Sequence, residues 1–394
     1  VSRAYRLDTA RVQSLVGMDI PESEQRQTLT ALGFKLEGNM AYVPSWRPDI
    51  LGEADLVEEV ARIASLTKLQ GRPMARALPG VPKPILSPMQ KREQIARRTG
   101  AALGYNECVT YSFIDHAAAA LFGGGDDATM LANPISADLS HMRPDLLPGL
   151  LRAAARNQAR GLMDLALFEV GHAFHGGEPG EQHLQVAGIL VGRTGPKDVH
   201  GATRVVDVFD AKADAEAILA AIGAPAKVQI LRDGPAWFHP GRHGRICLGP
   251  KKMLGIFGEV HPRILRALDV KGPAVAFTLY PGEIPLPRKT SASRGALDIS
   301  DLQAVERDFA FVVDSRTEAL TLINAAAGAD KALIEDVRVF DAFSGGNLGE
   351  GKKSLALTVR LQPRDKTLTE ADIEAVSARI IEKVTKATGG VLRG

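Results

Sequence analysis

Acidic side chains cluster in one short segment of the chain, residues 44–62. Apolar residues recur there at helical spacing, so the part after Pro48 is predicted to form a helix with one buried stripe. On that helix Asp55, Glu58 and Glu59 lie close together, because residues three and four apart are neighbours. Like charges at this spacing cost roughly a few tenths of a kcal/mol, so a compensating interaction is expected.

Two compensating interactions are compatible with the residues. Arg62 lies four residues after Glu58 and can neutralise it, while water solvates the remaining charges. Alternatively, a hard divalent cation binds the carboxylate oxygens, since Mg²⁺ usually takes one or two carboxylates and keeps several waters. Asp49, just before the first turn, would supply a further carboxylate. The residue pattern by itself leaves both a solvated acidic face and a metal site open.

Other residue types that carry out chemistry do not form a recognisable site. Residues 123–127 are glycine-rich, but no Gly-Lys-Ser/Thr follows, which indicates a turn and not a phosphate loop. His239 and His243 have the spacing of a helical zinc pair, but the proline and glycine between them break a helix. The three histidines within residues 172–183 are expected to lie in a surface loop.

Composition limits the class of protein. The chain has 394 residues, enough for two or three domains, and its 24% charged and 45% apolar content is typical of globular proteins. No apolar run approaches the roughly 20 residues that span a bilayer, and no signal peptide is recognised. Two cysteines cannot form a disulfide framework, which favours a reduced, cytoplasmic protein. The net charge of +2 means that any nucleic-acid contact must come from a local patch. The first residue, Val1, favours a chain that lacks upstream residues.

Helix and strand patterns divide the chain into three stretches, which we predict to be separate domains. Proline-rich segments without periodicity, residues 71–88 and 281–300, are the predicted linkers between them. The first domain, residues 1–75, carries the acidic helix, and the second, residues 86–285, mixes helices with short strands around one large sheet. The strands predicted in the second domain are 108–113, 165–170, 185–191, 205–210, 245–248 and 274–279.

The third predicted domain, residues 301–394, shows strict alternation of apolar residues in two strands, 307–314 and 353–361. A further strand is predicted at 334–340, before a glycine-rich turn at 344–351. A helix is predicted to begin at Thr369, whose hydroxyl can cap it, with Asp372 three residues later. The predicted order is β-α-β-β-α-β, which is the ferredoxin-like arrangement. The fold class is therefore α+β with several domains.

The acidic segment resembles the β subunit of bacterial phenylalanyl-tRNA synthetase, in its C-terminal part. It reads P-S-W-R-P-D-I-L-G-E-A-D-L-V-E-E-V-A-R, similar to the family's P-S-x-R-x-D-I and D-L-x-E-E-x-x-R pattern in a small, helical, nucleic-acid-binding-like module. The resemblance implies that Asp49, Asp55, Glu58 and Glu59 are Mg²⁺ ligands at the contact with the α subunit.

The second stretch resembles the family's class II synthetase-like domain, which has an antiparallel sheet and no activity. Five motifs follow in the family's order: N-P, L-L-P-G-L-L, L-F-E-V-G, H-P-G-R and G-E-V-H-P. One difference is that Pro144 and Asp145 replace the usual Thr-Ser. We find no glycine-rich strand that leads to a helical arginine, the usual third motif of an active site. Arg143 is therefore expected to be structural and not an ATP ligand.

The third stretch resembles the family's ferredoxin-like anticodon-binding domain, through A-V-E-R-D-F-A-F-V-V, V-F-D-A-F-S-G, G-K-K-S-L-A and D-K-T-L-T. An open sheet face suits splayed single-stranded bases. The cations expected to meet tRNA are Arg307, Lys352, Lys353, Arg360 and Arg364. A lysine pair beside a turn also serves as plain solvated edge protection, so that alternative stays open.

The resemblance implies a part of phenylalanine–tRNA ligase, which attaches phenylalanine to tRNA(Phe) with ATP. The α subunit would bind ATP and catalyse, and the full enzyme would be a heterotetramer of two α and two β subunits. This chain would then be inactive by itself, with docking, an Mg²⁺ site and anticodon binding as its roles and the cytoplasm as its location. The alternative is a stand-alone RNA-binding or scaffold protein that reuses these folds.

Overall fold

The structure, a computed structural model, divides into two units, Val1–Leu286 and Pro287–Gly394. The predicted linkers, 71–88 and 281–300, lie partly outside the described part of the chain. Within the described ranges, no helix combines the length and apolarity that crossing a bilayer requires. The described residues are 3–71, 73–75, 85–195, 199, 201, 203–286, 296–297 and 299–393.

The N-terminal part of the first unit packs three helices with a small antiparallel sheet, in which strand Met40–Tyr42 lies between strands Ala4–Arg6 and Lys35–Glu37. The acidic helix buries Leu56, Val57 and Val60, which share a hydrophobic cluster with Leu7 and Phe34. This apolar stripe confirms the predicted amphipathic helix, on which Glu58 is exposed and Glu59 is buried. The elements are β1 (Ala4–Arg6), α1 (Ala10–Val16), α2 (Glu22–Ala31), β2 (Lys35–Glu37), β3 (Met40–Tyr42) and α3 (Glu53–Ala64).

The remainder of the first unit is built on a seven-stranded sheet. Its elements are α4 (Pro88–Ala102), β4 (Asn106–Glu107), β5 (Phe113–Ile114), α5 (His116–Leu121), β6 (His141–Met142), α6 (Leu147–Gln158), β7 (Leu165–Phe174), β8 (Gln182–Val191), α7 (Val208–Ala221), β9 (Gln229–Leu231), β10 (Phe238–Leu248), β11 (Lys252–Val260), α8 (Pro262–Ala267) and β12 (Ala274–Leu279). The strand order is β4-β7-β8-β12-β11-β10-β9, antiparallel except for the parallel pair β4–β7. Val186 and Ala187 belong to different hydrophobic clusters, so both faces of the sheet are covered.

Two predicted strands of this part are wrong. Residues 205–210 read as a β-rich run, but the Asp207 carboxylate accepts a hydrogen bond from Phe209 N at 2.8 Å and begins helix α7. A local cap therefore outweighs the β propensity of the preceding valines. The run 108–113 contains only the start of β5, since Cys108 to Ser112 lie outside helices and strands. Strand β11, which contains the G-E-V-H-P glycine, was not predicted as a strand.

The three histidines expected in a loop lie mostly on strands. His172 is in β7 and His183 in β8, while His175 follows the end of β7. The rings of His175 and His183 are 5.6 Å apart between centroids, because the two strands form a hairpin. Burial is the main cause that lowers the pKa of His183, with the other two histidines adding repulsion.

The second unit confirms the predicted β-α-β-β-α-β order. In its sheet, strands Lys352–Leu361 and Val305–Asp314 lie in the middle, and Ile334–Ser344 and Val391–Leu392 form the edges next to them, in that order. Both helices contribute to a hydrophobic cluster that includes Phe309, Leu357 and Val376. The Thr369 hydroxyl accepts a hydrogen bond from Asp372 N at 3.3 Å, which confirms the predicted capping box. The elements are β13 (Val305–Asp314), α9 (Ala319–Ala327), β14 (Ile334–Ser344), β15 (Lys352–Leu361), α10 (Glu370–Thr388) and β16 (Val391–Leu392).

Candidate functional sites

The N-terminus of α3 uses one of the four predicted acidic ligands for its own capping. The Asp55 Oδ2 atom accepts hydrogen bonds from Leu51 N at 2.7 Å and from Gly52 N at 2.9 Å. Glu53, on the same turn, accepts a hydrogen bond from Asp8 N at 3.1 Å. The Asp55 carboxylate thus satisfies the N–H of the N-cap residue Gly52, and both carboxylates interact favourably with the helix dipole.

Two other predicted ligands, Asp49 and Glu59, contact one guanidinium group. Arg47 donates to Asp49 Oδ2 at 2.6 Å and to Glu59 Oε2 at 2.9 Å. Arg62 also donates to Glu59 Oε2, at 2.7 Å. The hydrogen bond from Arg47, followed by that from Arg62, lowers the pKa of Glu59 to about 2 although burial opposes the shift. Glu59 is thus held ionised at neutral pH.

The four acidic residues do not converge on one point. Glu58 is exposed, and none of the ion pairs found in the described residues includes it. Across the part of the chain that the structure describes, no group of three or more His, Cys, Asp or Glu is arranged to hold a metal ion. Sequence reasoning considered Arg62 as the compensating cation but missed Arg47, which lies two residues before Asp49 in the same motif.

In the seven-stranded domain, Arg143 forms a buried ion pair. Its Nη1 atom lies 2.7 Å from Glu169 Oε1, and the two side chains are only 5% and 4% exposed. Arg143 also donates to the His172 carbonyl at 2.9 Å and to the Thr110 hydroxyl at 3.0 Å. The Nε and Nη1 donors of the guanidinium are therefore engaged by protein atoms, which is compatible with the structural role expected for Arg143.

Asp145, which replaces a residue of the family pattern, also has a local role. Its Oδ1 atom accepts a hydrogen bond from Leu147 N at 2.8 Å, at the first turn of α6, and one from the Thr278 hydroxyl at 3.3 Å. Burial raises the pKa of Asp145 to about 6, against the lowering effect of these hydrogen bonds. The substitution thus keeps a helix-start acceptor in a buried position.

The predicted tRNA-contacting cations do not share one face of the C-terminal sheet. In the strand register, Lys352 lies opposite Asp314 and Arg360 opposite Glu306. These residues are on the face of the sheet opposite the hydrophobic cluster, which we call the open face. Arg307 pairs with Val359, a cluster residue, so it projects to the helix-covered side near the end of the sheet. Lys353 alternates with Lys352 and lies on that side too. Arg364 follows the end of β15.

The open face carries charges of both signs. By strand register, its cations are Arg338, Lys352 and Arg360, and its anions include Glu306 and Asp308. Arg360 Nε donates to Glu335 at 2.8 Å, and the Arg360 and Arg338 guanidinium groups both lie within 4 Å of Glu306. Bulk positive charge therefore does not distinguish this face, and Arg360 is already neutralised within the chain.

Two exposed aromatic residues on or beside the open face were missed from the sequence. Phe343 pairs with Ser354 on the open face and is 47% exposed, and Phe340 lies at a β-bulge and is 57% exposed. The sequence prediction ended this strand at Phe340, whereas β14 continues to Ser344. The signal available in the sequence was the pair of phenylalanines just before the glycine-rich turn.

Comparison with known proteins covers the whole chain. The family described as "Phenylalanyl tRNA synthetase beta chain CLM domain" matches residues 77–280, just over half of the chain. The "tRNA synthetase B5 domain" matches residues 5–65, and the "Ferredoxin-fold anticodon binding domain" matches residues 300–393. These matches agree with the order of the three predicted stretches.

Proteins named phenylalanine–tRNA ligase beta subunit are similar over the full chain. Those of Ruegeria pomeroyi and Cereibacter sphaeroides are 78% and 70% identical, over 100% of this chain and 49% of each relative. That of Rhodospirillum rubrum is 49% identical, over 99% of this chain and 49% of the relative. The chain thus spans about half the length of these relatives.

Among solved structures, a pyrrolysyl-tRNA synthetase of Desulfitobacterium hafniense covers 70% of this chain and 87% of its own, with a TM-score of 0.37 and 13% identity. That likeness is too low to support an argument. The family matches and the high identities are sufficient by themselves, and the chain belongs to the phenylalanyl-tRNA synthetase β-chain family.

Proposed function

We propose that this chain acts as part of a phenylalanine–tRNA ligase, in which it docks a catalytic α subunit and binds tRNA(Phe). The attachment of phenylalanine to tRNA with ATP would take place on α. The observation that carries this proposal is the combination of a β-subunit family match with a class II-like domain in which Arg143 is buried in an ion pair.

The burial of Arg143 supports the absence of catalysis by this chain. An arginine that binds ATP phosphates has to present its donors to a ligand. The Nε and Nη1 donors of Arg143 go to Glu169, Thr110 and the His172 carbonyl instead. The chain alone is expected to show no ATP–pyrophosphate exchange.

An exposed apolar segment of the same domain supports docking to another polypeptide. Val109, Tyr111 and Phe113, which lie within five residues, are 93%, 77% and 37% exposed, and Met130 and Ile135 further along the chain are also exposed. A concentration of large apolar side chains in one segment is typical of a protein interface. We assign the α subunit as the partner, because the relatives are named as beta subunits.

The open face of the C-terminal sheet supports contact with the anticodon of tRNA. Phe343 and Phe340 present exposed rings, and Lys352 supplies a cation at the end of the same face. Bases of single-stranded RNA stack on such rings, with a contribution of about 1–3 kcal/mol per base. Because the face has mixed charge, we propose that stacking makes a larger contribution to affinity than bulk electrostatics.

Mg²⁺ is the cofactor implied by the family resemblance, with ATP bound by α. The acidic residues as arranged do not fit a hydrated octahedral cation, because Asp55 caps α3 and Arg47 holds Asp49 and Glu59. We therefore propose an Mg²⁺ site at these positions and Glu58 only for the assembly with α, where the other polypeptide adds ligands.

The compartment and the stoichiometry are also proposals. Cys108 and Cys247 are both free thiols, which supports a reducing compartment, and we assign the cytoplasm. A heterotetramer of two α and two β subunits is the assembly that we expect from the family.

Reconstitution with a cognate α subunit tests the proposal. The chain and α should co-purify, and Tyr111→Glu should weaken that complex because it places a charge in an apolar interface. The exposed aromatic Phe209, on helix α7, provides the control substitution Phe209→Ala, which should leave the complex intact.

Binding of tRNA(Phe) is measured separately by fluorescence anisotropy. Phe343→Ala should weaken binding about tenfold, and Lys352→Ala should weaken it less and reduce its salt dependence. If tRNA still binds but no α subunit ever associates, the alternative of a stand-alone RNA-binding or scaffold protein gains and the ligase proposal fails.

A further inference from the structure

The loop before α3 places a guanidinium where the family resemblance implies a metal ion. Arg47 Nε lies 3.0 and 3.1 Å from the two Asp49 oxygens, and its Nη2 atom lies 2.6 Å from Oδ2. The Nη1 atom of the same group reaches Glu59 Oε2 at 2.9 Å. One planar cation thus joins two carboxylates that are ten residues apart, which is the geometry that suits arginine.

The position of Arg47 is fixed from its backbone side as well. Arg3 donates to the carbonyl oxygens of Arg47, Pro48 and Ile50, at 2.7, 3.1 and 2.9 Å. The loop therefore cannot swing Arg47 outward without losing these bonds. The side chain of Arg47 is 21% exposed and that of Glu59 only 7%, so solvent screens their pair weakly.

We propose that Arg47 is the resident counter-cation of the acidic helix and that it excludes a divalent cation from Asp49 and Glu59 in this chain. Mg²⁺ must replace waters with carboxylate oxygens in near-octahedral geometry, and both carboxylates are already held by charge-assisted hydrogen bonds. A cation can bind these carboxylates only when Arg47 leaves them. This inference concerns the chain by itself and does not depend on the ligase function.

The inference is tested with Mn²⁺ as the probe, titrated into the full chain and followed by the electron paramagnetic resonance signal of free Mn²⁺. Wild type is expected to take up no Mn²⁺ below the millimolar range, whereas Arg47→Gln should bind it at least about tenfold more tightly. Arg62→Gln is the matched control, because it removes the other cation on Glu59 and leaves Arg47 in place. It should behave as wild type.

Two results would overturn the inference. One is a wild-type Mn²⁺ affinity equal to that of Arg47→Gln, and the other is an Arg47→Gln variant that gains no affinity although circular dichroism shows it folded. If Arg47→Gln does not fold, the inference is tested by the thermal unfolding midpoint of wild type. Equal midpoints in MgCl₂ and in EDTA at matched ionic strength support exclusion, and a higher midpoint in MgCl₂ refutes it.

Discussion

The buried pair Arg143–Glu169 allows a quantitative prediction about what holds the seven-stranded domain together. Arg143→Met leaves the Glu169 carboxylate without its cation in a site where it is 4% exposed. Removing one partner of a buried pair costs about 3–5 kcal/mol, because the remaining charge stays desolvated. We therefore expect Arg143→Met to lower the free energy of unfolding of this unit by about that amount.

The double variant Arg143→Met/Glu169→Met should lose less than the single one. Replacing both charges with apolar groups removes the desolvation penalty. It still leaves the Thr110 hydroxyl and the His172 carbonyl without the donor that Arg143 provides, at about 1–3 kcal/mol for unsatisfied buried groups. The expected loss is thus about 1–3 kcal/mol, and the two substitutions should be strongly non-additive.

Urea unfolding followed by tryptophan fluorescence measures these changes. The two tryptophans of the chain, Trp46 and Trp237, both lie in the first unit, so the signal does not report on the second. Arg242→Met is the matched control, because its pair with Glu259 is partly exposed and should contribute less than about 1 kcal/mol. A loss below about 1 kcal/mol for Arg143→Met, or additive losses in the double variant, would refute the reasoning.

Three further outcomes are expected. The pKa of Glu59 in the folded state, about 2, lies below its ordinary value of 4.5, so ionised Glu59 contributes about 3 kcal/mol to the free energy of unfolding. This contribution is present above pH 4.5 and is lost as the pH falls toward 2. Glu59→Gln should therefore lower the unfolding free energy at pH 7, and the gap to wild type should close in acid titrations; a constant gap contradicts this. Gly188→Ala should lower the free energy of unfolding by roughly 1–3 kcal/mol, because the new Cβ would lie 2.5 Å from Phe277 Cζ. An unchanged thermal midpoint would contradict this and would show that the Phe277 ring moves aside without cost. Thr369→Ala should lower the free energy of unfolding of the second unit by about 1 kcal/mol, measured by circular dichroism, whereas Thr369→Asp should leave it nearly unchanged. Equal losses in the two variants would exclude the helix cap as the cause.

Local sequence patterns predicted the elements whose signals are complete within a few residues. The helix that begins after Thr369 carries its own cap, and the strand 353–361 carries its own alternation. Where a local signal was misread, the element was wrong, as for 205–210, where Asp207 begins a helix. Strand β14 was cut short at Phe340 because its last residues are exposed on both sides and show no alternation.

The family, the order of the three stretches and the positions of the charged residues along the chain could all be read from the sequence. Which of these charges meet depends on how the chain packs. Arg47 reaches Glu59 because a loop folds back on α3, and the adjacent residues Lys352 and Lys353 separate because successive side chains of a strand point to opposite faces. Partners that are distant along the chain are set by packing and register, which no local pattern records.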